Sequence, residues 1–489
     1  MGARADRIAT TQPDRERTPD EQVWDLYRAA DRTPLEVFNR ALDAMPDTPR
    51  RSLPTDFRRS HPDDHDLAIF SGYWTDQIAA AAMLVASALP DGGEVHGPGG
   101  SIVVLHGQYG TKPTFDDAVD AYWSVRPDGV WPGVHDPSPA LKDGDFYYVF
   151  ATAEGIPTFR SRDRLHWRPI GPAFPPGKQP AWWQTFQPAH VKKDAAGKVI
   201  ASDFNPNVFL WAPHLARYNG KYHLYYAIPS SFGVPAYAAI GHATKETLDP
   251  AVPWADDNQP VIACYGKDTF NTIDPSFVID RDGNPWMPFG SFSQTGIHLV
   301  PLDRETGALK AGAEKPWPQI AGDGMESPTV YFNASLDRYY LFTSEGFGIG
   351  PPWDYKVRVW RTDPGAPITG PYVDPAGRRA LDATNQIGRG AKNTNPGMIL
   401  IGAKGNRVAP GGEALFTDDV DHKLYLIFHE RDNSLWVHPK GIGPLPAFNL
   451  QIREVTFDRD GWPALGPATL ATPDESAPTR PAVPPANLR

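Results

Sequence analysis

Asp136 lies in His135-Asp136-Pro137-Ser138-Pro139, Asp274 in Ile273-Asp274-Pro275-Ser276-Phe277, and Glu326 in Glu326-Ser327-Pro328-Thr329. Each motif is followed, after a short turn, by an aromatic-rich segment. A carboxylate at the start of a buried strand is costly to keep without a purpose. A single one would be read as a cap or a turn residue. Three at equivalent places that converge on one cavity would form the apparatus for glycosidic bond hydrolysis. One carboxyl protonates the leaving oxygen and a second activates water. A third acid beside the first raises its pKa by like-charge repulsion and keeps it protonated near neutrality.

The elements that must carry these groups repeat along the chain. Phe146-Tyr147-Tyr148-Val149-Phe150 follows the first motif, and Tyr222-His223-Leu224-Tyr225-Tyr226 follows Trp211-Ala212-Pro213-His214. Trp286-Met287-Pro288-Phe289 follows the Asp274 motif, and Tyr339-Tyr340-Leu341-Phe342 the Glu326 motif. A degenerate fifth copy, Gly412-Glu413-Ala414, precedes Leu424-Tyr425-Leu426-Ile427-Phe428. Intervals of roughly fifty to eighty residues fit a radial repeat of small antiparallel sheets. The reading is an all-β, five-bladed β-propeller in which Asp136, Ala212, Asp274 and Glu326 are equivalent positions. A β-sandwich is the weaker alternative, because the proline motif keeps its offset from its strand.

Composition agrees. The 489 residues include 44 Gly and 53 Pro, so turns are frequent, and 15 Trp, 18 Tyr and 23 Phe supply stacking surface. The net charge of −11 argues against nucleic-acid or anionic-membrane binding, which need a basic field. Cys264 is the only cysteine, which excludes an intrachain disulfide and a multi-cysteine zinc site. Residues 1–110 read as a partly helical extension, 111–466 as the propeller, and 467–489 as a flexible Pro/Ala-rich tail. In the extension, Thr18-Pro19-Asp20-Glu21 and Thr33-Pro34-Leu35-Glu36 carry capping-box signals for two short helices. The apolar run Ile78–Leu89 is too short to span a bilayer and reads as a packed helix. No conventional signal peptide opens the chain. The location is therefore extracellular if the start lies too far upstream, and cytoplasmic otherwise. Asp63-Asp64 and Asp418-Asp419 read as solvated turns.

Taken in order, the Asp136, Trp211 and Asp274 motifs, Asn271-Thr272 before Asp274, Gly290-Ser291-Phe292 and Glu326-Ser327-Pro328 resemble glycoside hydrolase family 43. The endo-α-1,5-L-arabinanase branch is the most similar. The resemblance runs on through Gly370-Pro371-Tyr372 to Asp460-Gly461-Trp462-Pro463. It implies a five-bladed propeller that hydrolyses with inversion, acting on α-1,5-linked L-arabinofuranosyl chains, internally. Exo-acting α-L-arabinofuranosidase or β-xylosidase activity is the rival within the family, and a non-catalytic carbohydrate-binding propeller the rival outside it. By motif, Asp136 corresponds to the general base, Glu326 to the general acid, and Asp274 to the residue that tunes and orients the acid. Inversion needs about 6.5–9.5 Å between the two working carboxyls, leaving room for water. His135, Trp211, Asn271 and Ser291 are the substrate-binding candidates, with Trp211 equally readable as a core residue. The resemblance also implies that His429, in Leu426-Ile427-Phe428-His429-Glu430, helps hold a structural Ca²⁺ in a central water cluster, with no organic cofactor. The partner implied is a plant cell-wall type polysaccharide or oligosaccharide. The sequence departs from the branch at His214, which replaces an acid, and at Asn395-Pro396-Gly397-Met398, expected to border the groove.

Overall fold

The computed structural model describes Glu94–His96, Ile102–Val104 and residues 134–467. Within the last span it excludes 165–166, 176, 188–190, 194–198, 203–207, 232–236, 293–294, 314, 349–351, 386–394, 406 and 438–444. The helices expected at Thr18 and Thr33, the run Ile78–Leu89, Asp63-Asp64 and the tail lie outside the described residues. None of the described helices is long and apolar enough to cross a membrane. The chain divides into two compact units. The smaller comprises 1–133, 160–171 and 437–444 and contains an antiparallel hairpin pairing Glu94–His96 with Ile102–Val104. The larger carries the motifs.

Five antiparallel sheets follow one another in sequence order. Blade I orders Leu141–Asp143, Phe146–Phe150 and Pro157–Ser161. Blade II orders Phe209–Tyr218, Lys221–Ser231 and Tyr237–Lys245 and closes with Ala255–Asp256 and Ile262–Tyr265. Blade III runs Val278–Ile279, Pro285–Phe289, Ile297–Pro301 and Gln319–Ala321. Blade IV runs Glu326–Asn333, Arg338–Glu345, Lys356–Arg361 and Met398–Ile401. Blade V runs Arg407–Thr417, Leu424–Val437, Leu445–Phe457 and Pro463–Leu465. The fold is the expected five-bladed β-propeller. Strand and turn chemistry agree locally. In blade II, Tyr218 pairs with Lys221 across Asn219 (φ 48°) and Gly220 (φ 75°), the two left-handed residues a type I′ hairpin requires.

Each strand after a motif is buried on both faces, which is why it reads as a continuous aromatic run rather than an alternation. The core lies between neighbouring blades. Tyr225 and Ile240 of blade II pack with Met287 and Phe289 of blade III. Leu299 of blade III packs with Leu341 and the fully buried Trp360 of blade IV, and Phe342 of blade IV with Leu426 and Phe428 of blade V. The ring closes through Tyr147 of blade I, whose hydroxyl donates to Asp418 beyond the first strand of blade V at 3.1 Å. Asp418 is thus a buried inter-blade acceptor, not the solvated turn residue its sequence suggests. Its carboxyl also caps its own turn by accepting the Val420 amide, so the buried oxygens are partnered.

Candidate active site

At one place in every blade the backbone turns left-handed: Asp136 (φ 46°), Ala212 (39°), Asp274 (54°), Ser327 (49°) and Gly412 (59°). For a side-chain-bearing residue this conformation costs about 1–2 kcal/mol, and such strain collects at functional sites. Proline follows in the first four blades and Glu413 in the fifth. The pairing register slips here too, between Trp211 and His214, Glu326 and Thr329, and Gly411 and Ala414. All five kinked residues line a single central cavity.

The kink corrects one sequence expectation. The residue of blade IV equivalent to Asp136 and Asp274 is Ser327, and Glu326 stands one position earlier, level with His135, Trp211 and Ile273. Two carboxylates share the repeated address; the third reaches the site from the adjoining one.

Asp136 is held from several sides. Thr152 donates its hydroxyl proton to Oδ2 at 2.7 Å, and itself accepts the Ala212 amide of blade II at 2.7 Å. His135 Nδ1 lies 3.2 Å from the same oxygen. His429 Nδ1 accepts the Asp136 amide at 3.1 Å and lies 3.5 Å from Oδ1. Burial lowers the basicity of His135 and takes His429 well below the usual imidazole range, so both rings are neutral at pH 7.

Glu326 receives two hydroxyl donors: Ser291 to Oε2 at 2.7 Å and Tyr355 to Oε1 at 2.5 Å. Burial nevertheless pushes its carboxyl up to about 7, against those two bonds and with the Asp136 charge adding to the rise. Asp274 is buried, and its Oδ2 accepts the Ser327 amide at 3.2 Å and the Ser327 hydroxyl at 3.4 Å. Burial, then the charges of Glu326 and Asp136, raise it well above the carboxylate range. Burial thus favours the protonated form of both carboxyls. The direct hold of Asp274 on the acid is mechanical, through Ser327 next door.

The other expected site residues are placed as follows. Ser291 touches Glu326 and is buried, so it steadies the acid. Trp211 packs half-buried against the core between blades II and III. Asn271 is buried three residues before Asp274, and its Oδ1 has no hydrogen-bond partner among the described residues. His214 lines the cavity and is kept neutral by burial, which takes it to about 3. Asn395-Pro396-Gly397-Met398 does not border the cavity. It leads into the outermost strand of blade IV, where Asn395 donates to Glu345 at 2.6 Å.

His135, Asp136 and His429 form the one cluster of potential metal ligands among the described residues, their ligand atoms within 4.8 Å of one another. Calcium takes six to eight oxygens, as a rule. Here a single carboxylate stands beside two imidazoles, and His429 Nδ1 already accepts an amide proton. These three residues alone do not complete a calcium shell, so an ion held with help from His429 would take most of its ligands from water.

A buried acid with a raised pKa and a hydrogen-bonded carboxyl near enough to sense its charge are the parts glycoside hydrolysis needs. The family model for glycosyl hydrolases family 43 matches residues 129–463. The chain belongs to family 43. It is 30% identical over 353 residues to an extracellular exo-α-(1→5)-L-arabinofuranosidase, ArbA, of Cellvibrio japonicus, covering 68% of this chain and 86% of that one. It is 31% identical over 286 residues to an extracellular endo-α-(1→5)-L-arabinanase of Bacillus subtilis, covering 55% and 79%. Among solved structures, an α-L-arabinanase of Cellvibrio cellulosa superposes with a TM-score of 0.54 at 28% identity, covering 68% of this chain and 95% of that one. A family 43 endo-arabinanase of Bacillus licheniformis gives 0.52 at 30%, covering 69% and 98%.

Like its family, this glycoside hydrolase builds its site from distant strands, and several supports carry no local sequence signal. Ser344 reaches the centre from a paired strand of blade IV, and Tyr355 and Thr152 from positions just outside strands. Gly412 is the most constrained. A Cβ there would lie 2.3 Å from Asp136 Oδ1 and 2.7 Å from the His429 ring. Gly412→Ala is therefore expected to displace the Asp136 carboxylate and lower kcat by about 100-fold, the scale of a 1 Å misplacement. Circular dichroism should stay unchanged. A fully active variant would show that the Asp136 carboxyl has room to move.

Proposed function

We propose that this family 43 hydrolase cleaves α-1,5-linked L-arabinofuranosyl chains internally, with inversion. Asp136 takes a proton from water as that water's oxygen attacks the anomeric carbon. Glu326 gives its proton to the departing O5 of the neighbouring sugar, and Asp274 fixes the acid's strand through Ser327. The observation that carries this reading is the contrast between the two working carboxyls. Glu326 is held near 7 by burial, with the Asp136 charge close enough to add to the rise, while Asp136 is bound by Thr152 and His135. The substrate class rests on the relatives, named as enzymes of α-(1→5)-L-arabinan. The exo reading is favoured by the names of two similar proteins, the Cellvibrio arabinofuranosidase and an exo-1,5-α-L-arabinanase from a bovine ruminal metagenomic library.

Proton NMR of the first turnover on linear arabinan tests both halves. Inversion gives the β-anomer of the new reducing end, and internal cleavage gives mixed oligomers early. An α-anomer as first product rules out Asp136 as general base, and arabinose or one short oligomer alone from the outset makes the enzyme exo-acting.

A further inference from the structure

Blade V departs from the others at one residue. Where they place Pro137, Pro213, Pro275 and Pro328 after the kink, it places Glu413. The side chain is 5% exposed and lines the central cavity. Its Oε2 meets the Ser344 hydroxyl, and its Oε1 has no hydrogen-bond partner among the described residues. Ser344 accepts the Gly412 amide at 2.9 Å, sits opposite Glu326 in the blade IV register, and lies with the Tyr355 ring against Gly411. Tyr355 in turn donates to Glu326 Oε1 at 2.5 Å. A buried row of polar side chains thus leads from Glu413 past Ser344 and Tyr355 to Glu326, hydrogen-bonded at both ends.

Proton counting gives this polar chain a direction. A serine hydroxyl has one proton and two acceptor sites. The Gly412 amide fills one acceptor site of Ser344. If Glu413 donates into the other, the Ser344 proton is free for Tyr355, and the Tyr355 proton for Glu326. If Glu413 accepts instead, Ser344 gives its proton there and Tyr355 loses its donor. A carboxyl this deeply buried, with Asp136 and Glu326 as neighbours, favours its protonated form.

We propose that Glu413 is a positioning residue acting on Glu326 through Ser344 and Tyr355, its carboxyl donating the hydrogen bond that starts the chain. When Glu326 gives up its proton, the new carboxylate keeps a Tyr355 hydroxyl that is itself hydrogen-bonded from behind. This rests on Glu326 being the acid. The ionisable groups facing the chain are Asp136, Asp274, Glu326 and His429.

The test compares Glu413→Ala with Glu413→Gln in the full chain, on linear arabino-oligosaccharides. Ala breaks the chain and is expected to lower kcat about tenfold with KM unchanged. Gln still donates an N–H to Ser344 and should recover most of that loss, with the alkaline limb of the pH profile in place. Wild-type kcat in the Ala variant overturns the proposal. So does a Gln variant as impaired as Ala, or one whose alkaline limb moves to lower pH, which would mean that Glu413 acts as a charge. Carbon-13 NMR titration of the glutamate carboxyls gives an answer independent of substrate. The Glu326 midpoint should rise in the Ala variant and hold in the Gln variant; a fall in either overturns the proposal. Should the wild-type enzyme hydrolyse no arabinoside, the substrate assignment fails while this titration still decides the role of Glu413. Should the Ala variant not fold, Ser344→Ala cuts the same chain and is read the same way.

Discussion

Glu326→Gln is expected to lower kcat on linear α-1,5-arabinan by about 10²–10⁴-fold, the usual worth of a positioned acid. The amide keeps the volume and can still meet Ser291 and Tyr355, so the fold should be unaffected. The loss is specific to poor leaving groups. An aryl arabinofuranoside whose phenolate departs unprotonated should be hydrolysed by the variant at close to the wild-type rate. The pH profile adds a sign. Only the protonated acid works, so wild-type kcat/KM should fall about tenfold per pH unit above about 7, where Glu326 ionises. The Gln variant should lack that limb on the aryl substrate. Equal losses on both substrates would take the acid role away from Glu326.

Asp136→Asn is expected to be as damaging but blind to the leaving group. Without the carboxylate no group takes the water's proton, and turnover should drop by about 10²–10⁴-fold on polysaccharide and aryl glycoside alike. Thr152 and His135 remain to hold the amide in place. Azide, a nucleophile that needs no deprotonation, should restore turnover and leave a β-arabinofuranosyl azide as product. Rescue that yields the α-azide, or a variant retaining wild-type rates, would show that Asp136 does not activate the attacking water. The two variants thus fail in opposite ways, and the pair tells acid from base without a bound ligand.

Much of the architecture was legible from residue order. Aromatic runs such as Phe146–Phe150 and Tyr339–Phe342 mark strands buried on both faces, and their fixed distance from a proline motif marks the blades. Asp136 and Asp274 announce themselves because a carboxylate, a proline and a small polar residue recur together. Aligning the carboxylates puts Glu326 one register off, because the geometry repeated from blade to blade belongs to the residue before proline. That geometry is a backbone angle, and neither Ala212 nor Ser327 is a residue type that advertises it. Glu413 escaped notice for the converse reason: the fifth motif lost its proline and looked merely degenerate. Tyr355 and Ser344 meet their partners across 29 and 69 residues, distances at which no local pattern speaks. His429 stands out as an ion ligand only through the family resemblance, and its Nδ1 contact with the Asp136 amide has no local signal in the sequence.

Keeping uncharged acids at the hub has a thermodynamic side. An unfolded glutamate releases its proton near 4.5, whereas Glu326 holds its own to about 7 and Glu413 to about 8. Between those limits the denatured chain sheds protons the native chain retains, so alkali favours unfolding across that window and mild acid relieves it. Thermal melting should be highest near the acid end of the range and decline toward pH 8, with Glu413→Gln flattening part of the slope. The molecule should accordingly keep best in faintly sour solution, somewhat below the pH at which its chemistry begins to fade.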